Sequence, residues 1–252
     1  MAKNRNKALA YAAAVMLLLL ALGGVFSGKG EDAEKADAPA RISAEEGASK
    51  YLALTFDDGP RADTTAVLLE GLDQRGVKAT FFLIGEQIPG NEWLVRWMAE
   101  SGHQVGNHTF THVKLQGSSK DTVLQEINKT EVLLTTVLGE RDYWLRPPYG
   151  LIDDAEKTLV RTPMIYWSVD PEDWKYLDTE RVTADVVSHA KDGDIILLHD
   201  FYPTSVQAAL QIVDQLRSEG YEFVTVEELM RLKGTVPRAG KIYSSATEER
   251  AW

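Results

Sequence analysis

Short apolar runs alternate with longer helix-like stretches along most of this chain, from Tyr51 onward. The apolar runs occupy residues 51–56, 79–84, 103–107, 143–146, 164–169, 194–198 and 222–226. Most of them are separated by stretches with helical character, at 64–75, 92–101, 121–138, 180–190 and 205–218. Seven strands with helices between them predict an α/β fold built on a parallel sheet, either open or closed into a barrel.

The N-terminal region differs from the rest of the chain in charge and hydropathy. Lys3, Arg5 and Lys7 precede residues 8–26, nineteen residues that carry no charge. A stretch of this length can just cross a bilayer whose hydrocarbon core is roughly 30 Å thick, and the basic front favours a cytoplasmic N-terminus. We therefore predict that residues 1–28 are a retained signal anchor and that the following chain lies outside the cell membrane. A cleaved signal peptide, giving a secreted protein, and a buried core helix are the alternatives.

Residues 29–50 are predicted to be a disordered linker. Between residues 31 and 50 there are six alanines and six acidic residues, with Ile42 as the single large aliphatic residue. Such a segment cannot bury enough apolar surface to fold by itself. Residues 234–252 are polar and are predicted to form a peripheral tail, which leaves the folded domain at residues 51–233.

Charge and cysteine content exclude several classes of function. The net charge of −11 argues against nucleic acid as a partner, because phosphate binding needs clustered Lys and Arg. The chain contains no cysteine, which excludes disulfides, thiolate metal ligands and a cysteine nucleophile. An extracellular chain without cysteine indicates an exterior that does not rely on disulfide formation, as in many Gram-positive bacteria. The sequence makes no prediction of the oligomeric state.

Polar clusters follow five of the predicted strands. They occupy residues 57–60, 108–112, 146–150, 170–174 and 199–200. In folds built from alternating strands and helices, ligands and catalytic groups gather at the carboxyl ends of the parallel strands. We therefore expect the five clusters to meet at one rim of the sheet and to form a site there.

Two of these clusters contain the residue types of a catalytic metal site. Asp57 and Asp58 lie at a predicted strand end, where Gly59 permits a turn that brings both carboxylates to one pocket; a plain Asp-Gly-Pro turn is the alternative. The spacing of His108 and His112 would put both imidazoles on one face of a helical turn, within reach of one divalent cation; two exposed loop histidines are the alternative. Two imidazoles and one carboxylate leave coordination positions open, as catalytic sites do.

The order of these clusters resembles a known family. The segments TFDDG (55–59), HTFTH (108–112), RPPYG (146–150), DPEDW (170–174) and LLH (197–199) are similar, in this order, to the five motifs of the polysaccharide deacetylases, the NodB-homology domain of carbohydrate esterase family four. The resemblance covers nearly all of the folded part. It implies a distorted (β/α) barrel with about seven parallel strands and metal-dependent removal of N-acetyl groups from N-acetylglucosamine units.

The resemblance implies that Asp57 is the general base and that Asp58, His108 and His112 are the ligands of one divalent metal ion. Zn²⁺ is the expected ion, with Co²⁺, Mn²⁺ or Ni²⁺ as alternatives. Arg146 would hold the base carboxylate in position. These roles suit amide hydrolysis, since a bound cation of this type lowers the pKa of water to about 7.

The remaining motif residues imply an acid and a substrate pocket. His199 would be the general acid, oriented by Asp173, because the leaving amine needs a proton. The backbone N–H of Tyr149 would donate to the oxyanion of the tetrahedral intermediate. Trp174 and Leu197 would wall the slot that takes the acetyl methyl group, and Tyr149 would also contact the substrate.

The expected substrate is a polysaccharide of the cell envelope. The predicted tether and the absence of a visible carbohydrate-binding module favour peptidoglycan; chitin or chitooligosaccharides, poly-N-acetylglucosamine and acetylated xylan are alternatives. From other classes, the chain could be a non-catalytic glycan-binding or metal-binding wall protein, or a structural protein of the envelope. The joint presence of Asp57, Arg146, Asp173 and His199 favours an enzyme, because a binding module needs none of these acid–base pairs.

Overall fold

A computed structural model describes residues 49–247. The predicted signal anchor at 1–28 and nearly all of the predicted linker at 29–50 lie outside the described residues. Within residues 49–247, no helix is both long enough and apolar enough to cross a bilayer.

Parallel strands form the centre of the fold. The strands are β1 (Lys50–Asp57), β2 (Thr80–Leu83), β3 (Gln104–Asn107), β4 (Met164–Ile165), β5 (Ile195–His199), β6 (Tyr221–Phe223) and β7 (Ile242–Tyr243). The main sheet has the order β3-β2-β1-β5, β6 pairs with the start of β1, and β4 pairs with β7, all in parallel. Most side chains of β1, β2 and β5 are buried on both faces, as parallel strands covered by helices require.

Isolated bridges connect the edges of this sheet. Leu145 pairs with both Asn107 and Met164, while Val169 pairs with Ile196. The path of pairings therefore runs from β3 through Leu145 to the segment that starts with β4, and from the end of that segment back to β5. This path makes the α/β fold barrel-like, as the resemblance implied.

The predicted strand at 143–146 is reduced to the single bridge residue Leu145. Pro147 and Pro148 follow directly, and proline has no backbone N–H to continue a ladder. The chain instead enters a short 3₁₀ turn at Pro148–Gly150. A strand of four residues at this position is therefore wrong.

The predicted peripheral tail at 234–252 is also wrong for the described part of that segment. Ile242 and Tyr243 form β7 against β4, and both are almost fully buried. Ala246 is fully buried as well. Two strand residues are too few to show a periodic pattern in an otherwise polar stretch, so the sequence concealed their contribution to the core.

Helices cover the sheet between the strands. They are α1 (Thr65–Arg75), α2 (Glu92–Glu100), α3 (Lys120–Leu138), α4 (Asp154–Lys157), α5 (Asp173–Tyr176), α6 (Thr179–His189), α7 (Pro203–Ser218) and α8 (Val226–Leu232). The five predicted helices are confirmed to within two residues at each end. Ser119 caps the N-terminus of α3, because its hydroxyl accepts the Thr122 N–H.

The carboxyl ends of the strands meet at one rim. Asp57 and His199 end the neighbouring strands β1 and β5 and are partners in the register. Asn107 ends β3, directly before His108. The predicted convergence of the polar clusters at this edge of the sheet is therefore confirmed.

Candidate active site

Asp57 and Asp58 occupy the end of β1 and the turn that follows it. Asp57 is 3% exposed, and Asp58 has a φ of 73°. A positive φ is costly for a residue with a Cβ atom and persists where the surrounding structure enforces it. Both carboxylates face the same imidazole: His108 Nε2 lies 3.5 Å from Asp57 Oδ2 and 3.6 Å from Asp58 Oδ1. The two adjacent carboxylates therefore reach one pocket, as predicted.

The loop after β3 brings two histidines together without a helical turn. The ring centroids of His108 and His112 are 4.9 Å apart, but the segment is irregular and His112 has a φ of 58°. The predicted helical geometry is therefore wrong. The carboxylate of Glu126 in α3 holds the loop instead, since it accepts the backbone N–H groups of Phe110 and Thr111 at 3.0 and 2.8 Å and the Thr111 hydroxyl at 3.0 Å.

Glu126 is a supporting residue that sequence reasoning missed. It is only 9% exposed and shares the buried face of α3 with Val123, Thr130 and Leu134. A carboxylate on the buried face of a helix is a usable signal, because burying a charged group without partners is costly. The three hydrogen bonds to the histidine loop supply those partners.

Asp58, His108 and His112 form a donor set that fits one metal ion. One ligand atom of each lies within 4.8 Å of the others, and His112 Nε2 is 3.5 Å from Asp58 Oδ1. His108 donates its Nδ1–H to the Arg146 carbonyl at 2.6 Å, so the lone pair stays on Nε2, facing the carboxylates. Asp58 Oδ1 is buried without a hydrogen-bond partner in the part of the chain that the structure describes. This oxygen and two imidazole lone pairs are suitable ligands for a divalent cation.

Burial controls the protonation of these three groups. It raises the pKa of the Asp58 carboxyl, and it lowers the pKa of both the His108 and the His112 imidazole. A neutral imidazole is the form that binds a metal ion. The two histidines are therefore in the binding form at neutral pH.

Arg146 lies fully buried behind Asp57. Its Nη1 donates to Asp57 Oδ1 at 2.9 Å and to the Thr55 hydroxyl at 2.7 Å. Its Nε and Nη2 donate to the carbonyl groups of Ile165 and Tyr166 at 3.0 and 2.8 Å. Burial lowers the pKa of Arg146, while the charge of Asp57 and the hydrogen bond to it act in the opposite direction. Because Nε, Nη1 and Nη2 all donate hydrogen bonds, the guanidinium is fixed in place and orients one oxygen of the Asp57 carboxylate.

His199 and Asp173 form a second buried pair. Asp173 is fully buried; its Oδ1 accepts the Nδ1–H of His199 at 2.7 Å, and its Oδ2 accepts the His199 backbone N–H at 2.8 Å. Burial lowers the pKa of His199, but the hydrogen bond to Asp173 and the charges of Asp173, Asp57 and Asp58 outweigh it and raise the pKa to about 9. The imidazole is therefore protonated at neutral pH and presents Nε2–H to the pocket.

A cavity of about 420 Å³ opens at this rim. Eight of the ten predicted site residues line this cavity. The other two, Arg146 and Asp173, lie behind it and contact the lining residues Asp57 and His199. Tyr149 and Trp174 stand at the mouth with 62% and 49% exposure, whereas Leu197 is 4% exposed and forms an apolar wall. The Tyr149 ring also packs edge-on against His112, with centroids 4.7 Å apart.

Trp167, Asp170 and Tyr202 complete the lining. Trp167 lies in an apolar run, where an aromatic residue is more often part of the core, so the sequence alone did not single it out. One oxygen of Asp170 accepts the Glu172 N–H at 2.9 Å, and burial raises the pKa of this carboxyl. The pocket thus combines aromatic surfaces with carboxylates, a mixture suited to a sugar.

Known proteins share this sequence and architecture. A sequence profile described as polysaccharide deacetylase matches residues 44–162. The peptidoglycan-N-acetylglucosamine deacetylase PgdA of Listeria monocytogenes is 40% identical over 202 residues, which cover 80% of this chain and 43% of that protein. A peptidoglycan-N-acetylglucosamine deacetylase of Bacillus cereus is 37% identical over 192 residues, 73% of this chain and 90% of its own length. The structure of a family 4 acetyl xylan esterase from Clostridium thermocellum in complex with a cobalt ion has a TM-score of 0.74 and 33% identity, covering 78% of this chain and 98% of that one.

The chain therefore belongs to the polysaccharide deacetylase family, carbohydrate esterase family four. It spans 43% of the length of the Listeria relative and nearly all of the esterase domain. Among its relatives are proteins named for action on peptidoglycan and one named for action on acetylated xylan.

Proposed function

We propose that this chain is a metal-dependent deacetylase that removes the acetyl group from N-acetylglucosamine units of peptidoglycan. One observation carries the proposal: a metal-binding donor set, a carboxylate paired with an arginine and a histidine paired with a carboxylate meet at a single cavity. Asp58, with the two histidines of the 108–112 loop, supplies the donor set. Asp57 with Arg146 and His199 with Asp173 are the pairs.

The base side of the reaction falls to Asp57. A divalent cation bound by Asp58, His108 and His112 would supply Lewis-acid activation of water and of the acetyl carbonyl. Zn²⁺ is the first candidate for this cation, and Co²⁺, Mn²⁺ and Ni²⁺ are the alternatives. Asp57 takes one proton from a water molecule as the oxygen of that water bonds to the carbonyl carbon. Arg146 holds the carboxylate in the orientation that this transfer needs.

The acid side falls to His199. The amine of the sugar leaves only as the C–N bond breaks with a proton delivered to nitrogen, because an amide anion is too basic to depart. Asp173 keeps His199 protonated and holds its Nδ1–H, so the proton on Nε2 is the one transferred. Acetate and a free glucosamine amine are the products.

The cavity walls orient the acetyl group. Leu197 and Trp174 line the pocket with apolar surface that suits the acetyl methyl group. The backbone N–H of Tyr149 is the proposed donor to the oxyanion of the tetrahedral intermediate; a donor of this kind typically contributes about 2.7–4 kcal/mol to lowering the barrier. The exposed faces of Tyr149 and Trp174 offer stacking surfaces to the sugar ring.

The choice of peptidoglycan follows from the named relatives, two of which are peptidoglycan-N-acetylglucosamine deacetylases. The second candidate is removal of O-acetyl groups from xylan, which the acetyl xylan esterase structure favours. We also propose that the domain works outside the cell membrane. The basic front and the uncharged residues 8–26 support that location.

Acetate release by the purified full-length chain tests the function. Peptidoglycan, chitooligosaccharides and acetylated xylan are the three substrates, and mass spectrometry locates the lost acetyl groups. We expect peptidoglycan to be deacetylated fastest, chelation to abolish release, and added Zn²⁺, Co²⁺ or Mn²⁺ to restore it. Asp57→Asn is the matched control for contaminating activity. Undiminished release after exhaustive chelation would refute the metal-dependent mechanism, and a preference for xylan would select the second candidate.

A further inference from the structure

Asp200 is a buried carboxyl group next to the site that none of the five motifs includes. It directly follows His199 at the end of β5 and is 1% exposed. A carboxyl group removed from water needs partners in the protein, because an unpaired one is costly. Its surroundings therefore indicate what it does.

The first partner of Asp200 is Thr65, at the start of α1. The Thr65 hydroxyl donates to Asp200 Oδ2 and accepts the Arg61 backbone N–H at 2.8 Å. A hydroxyl has a single hydrogen, so the bond from Arg61 leaves that hydrogen for Asp200. Asp200 Oδ1 has no hydrogen-bond partner among residues 49–247. The carboxyl thus fastens the loop between β1 and α1 through one well-defined bond.

The second contact of Asp200 is the backbone of Gly59. A Cβ atom added to Gly59 would lie 2.5 Å from Asp200 Oδ2 and 2.7 Å from Oδ1. The carboxyl therefore packs directly against the Gly59 Cα, with no room for a side chain. Gly59 follows Asp58, whose positive φ points the carboxylate toward the two histidines. The Asp200 carboxyl therefore supports, by direct packing, the turn that carries the predicted ligand Asp58.

We propose that Asp200 is a positioning residue, whose buried carboxyl holds the Asp58–Gly59 turn in register with the strand end that carries His199. The proposal rests on the proposed function of the site. It predicts that the donor set keeps its geometry only while position 200 carries a side chain that accepts the hydrogen bond and position 65 carries a hydroxyl that donates it. Asp200 acts through Gly59 and Thr65 and does not touch the substrate.

Burial raises the pKa of Asp200 to about 7. A neutral asparagine amide therefore resembles the protonated carboxyl in shape and charge, and its oxygen can accept the Thr65 hydroxyl. Asp200→Asn is the conservative variant, whereas Asp200→Ala removes both the acceptor for the Thr65 hydroxyl and the packing against Gly59. Thr65→Val removes the hydroxyl at nearly constant shape, whereas Thr65→Ser retains it.

Cobalt titration of the metal-free, full-length protein tests the proposal, because visible absorption reports both the affinity for Co²⁺ and the ligand geometry. Loss of a residue that supports metal ligands typically weakens metal affinity about 10–100-fold. We expect a loss of this order, with an altered spectrum, in Asp200→Ala and Thr65→Val, whereas Asp200→Asn and Thr65→Ser stay close to the wild type. Leu229→Ala, a core variant in α8, controls for general destabilisation and should keep the wild-type affinity.

Unchanged Co²⁺ affinity and spectrum in Thr65→Val and in folded Asp200→Ala would overturn the proposal, as would an equal loss in Leu229→Ala. If Asp200→Ala does not fold, the Thr65 pair decides the outcome. A wild-type chain that binds Co²⁺ but releases no acetate would refute only the proposed function. A wild-type chain that binds no Co²⁺ would refute both.

Discussion

Replacing Asp173 with asparagine should separate the charge of the Asp173–His199 pair from its shape. The pKa of His199 is raised from 6.5 to about 9, chiefly because the hydrogen bond and the charge of Asp173 outweigh burial. That difference corresponds to about 3 kcal/mol in favour of the protonated imidazole. Asparagine keeps an oxygen near the His199 Nδ1–H but removes the charge. We therefore expect the pKa of His199 to fall below about 7 in Asp173→Asn.

Nuclear magnetic resonance of histidine-labelled, metal-free protein measures this change directly. The His199 imidazole should titrate near pH 9 in the wild type and below pH 7 in the variant. The exposed His189, which contacts Asp185, gives a reference signal in the same spectra. In the metal-loaded enzyme, the alkaline limb of kcat/KM for acetate release should move to lower pH, because a general acid works only while protonated.

The same pair makes a stability prediction with a defined sign. A raised pKa of His199 contributes stability that is complete below pH 6.5 and is lost as the pH rises through about 9. The difference in free energy of unfolding between the wild type and Asp173→Asn should therefore be largest, at about 3 kcal/mol, near pH 6 and should shrink toward pH 9. A His199 that still titrates near pH 9 in the variant, or a difference that grows with pH, would refute the reasoning.

Two further variants test the other buried groups. Asp57→Asn leaves the three metal ligands intact, so Co²⁺ binding should persist while acetate release falls about 10²–10⁴-fold. His108→Ala should lose both Co²⁺ binding and acetate release. Normal turnover by Asp57→Asn would disprove the assignment of Asp57 as the base. Arg146→Met leaves the Asp57 carboxylate buried without its counter-charge, which should lower the free energy of unfolding by about 3–5 kcal/mol in urea titrations. The double variant with Asp57→Asn should recover part of that loss, and strict additivity of the two changes would count against a direct pairing.

Local order in the sequence was sufficient to predict much of this site. Each motif follows or ends an apolar run, and in a parallel sheet the ends of such runs share one edge. The convergence of Asp57, Asp58 and His199 followed from that rule, and the five main helices followed from the helix-like stretches between the apolar runs. The reason is that strand burial and helical periodicity are properties of contiguous residues, which a sequence displays directly.

The supports of the site required the tertiary structure. Arg146 donates to Thr55, 91 residues away, and Asp200 accepts from Thr65, 135 residues away. The spacing of His108 and His112 predicts a helical turn, but their loop is irregular and is held by Glu126 of α3. No local pattern encodes such contacts, because each depends on where the fold brings two distant segments together.

The protonation states divide in the same way. The sequence determined the residue types of the site: the candidate metal ligands, the proposed base and the histidine proposed as the general acid. The direction in which each pKa moves was decided by the fold, since burial lowers the pKa of His108 while Asp173 raises that of His199. Charge and solvation act through space, so identical side chains acquire opposite chemistry only after the chain has folded.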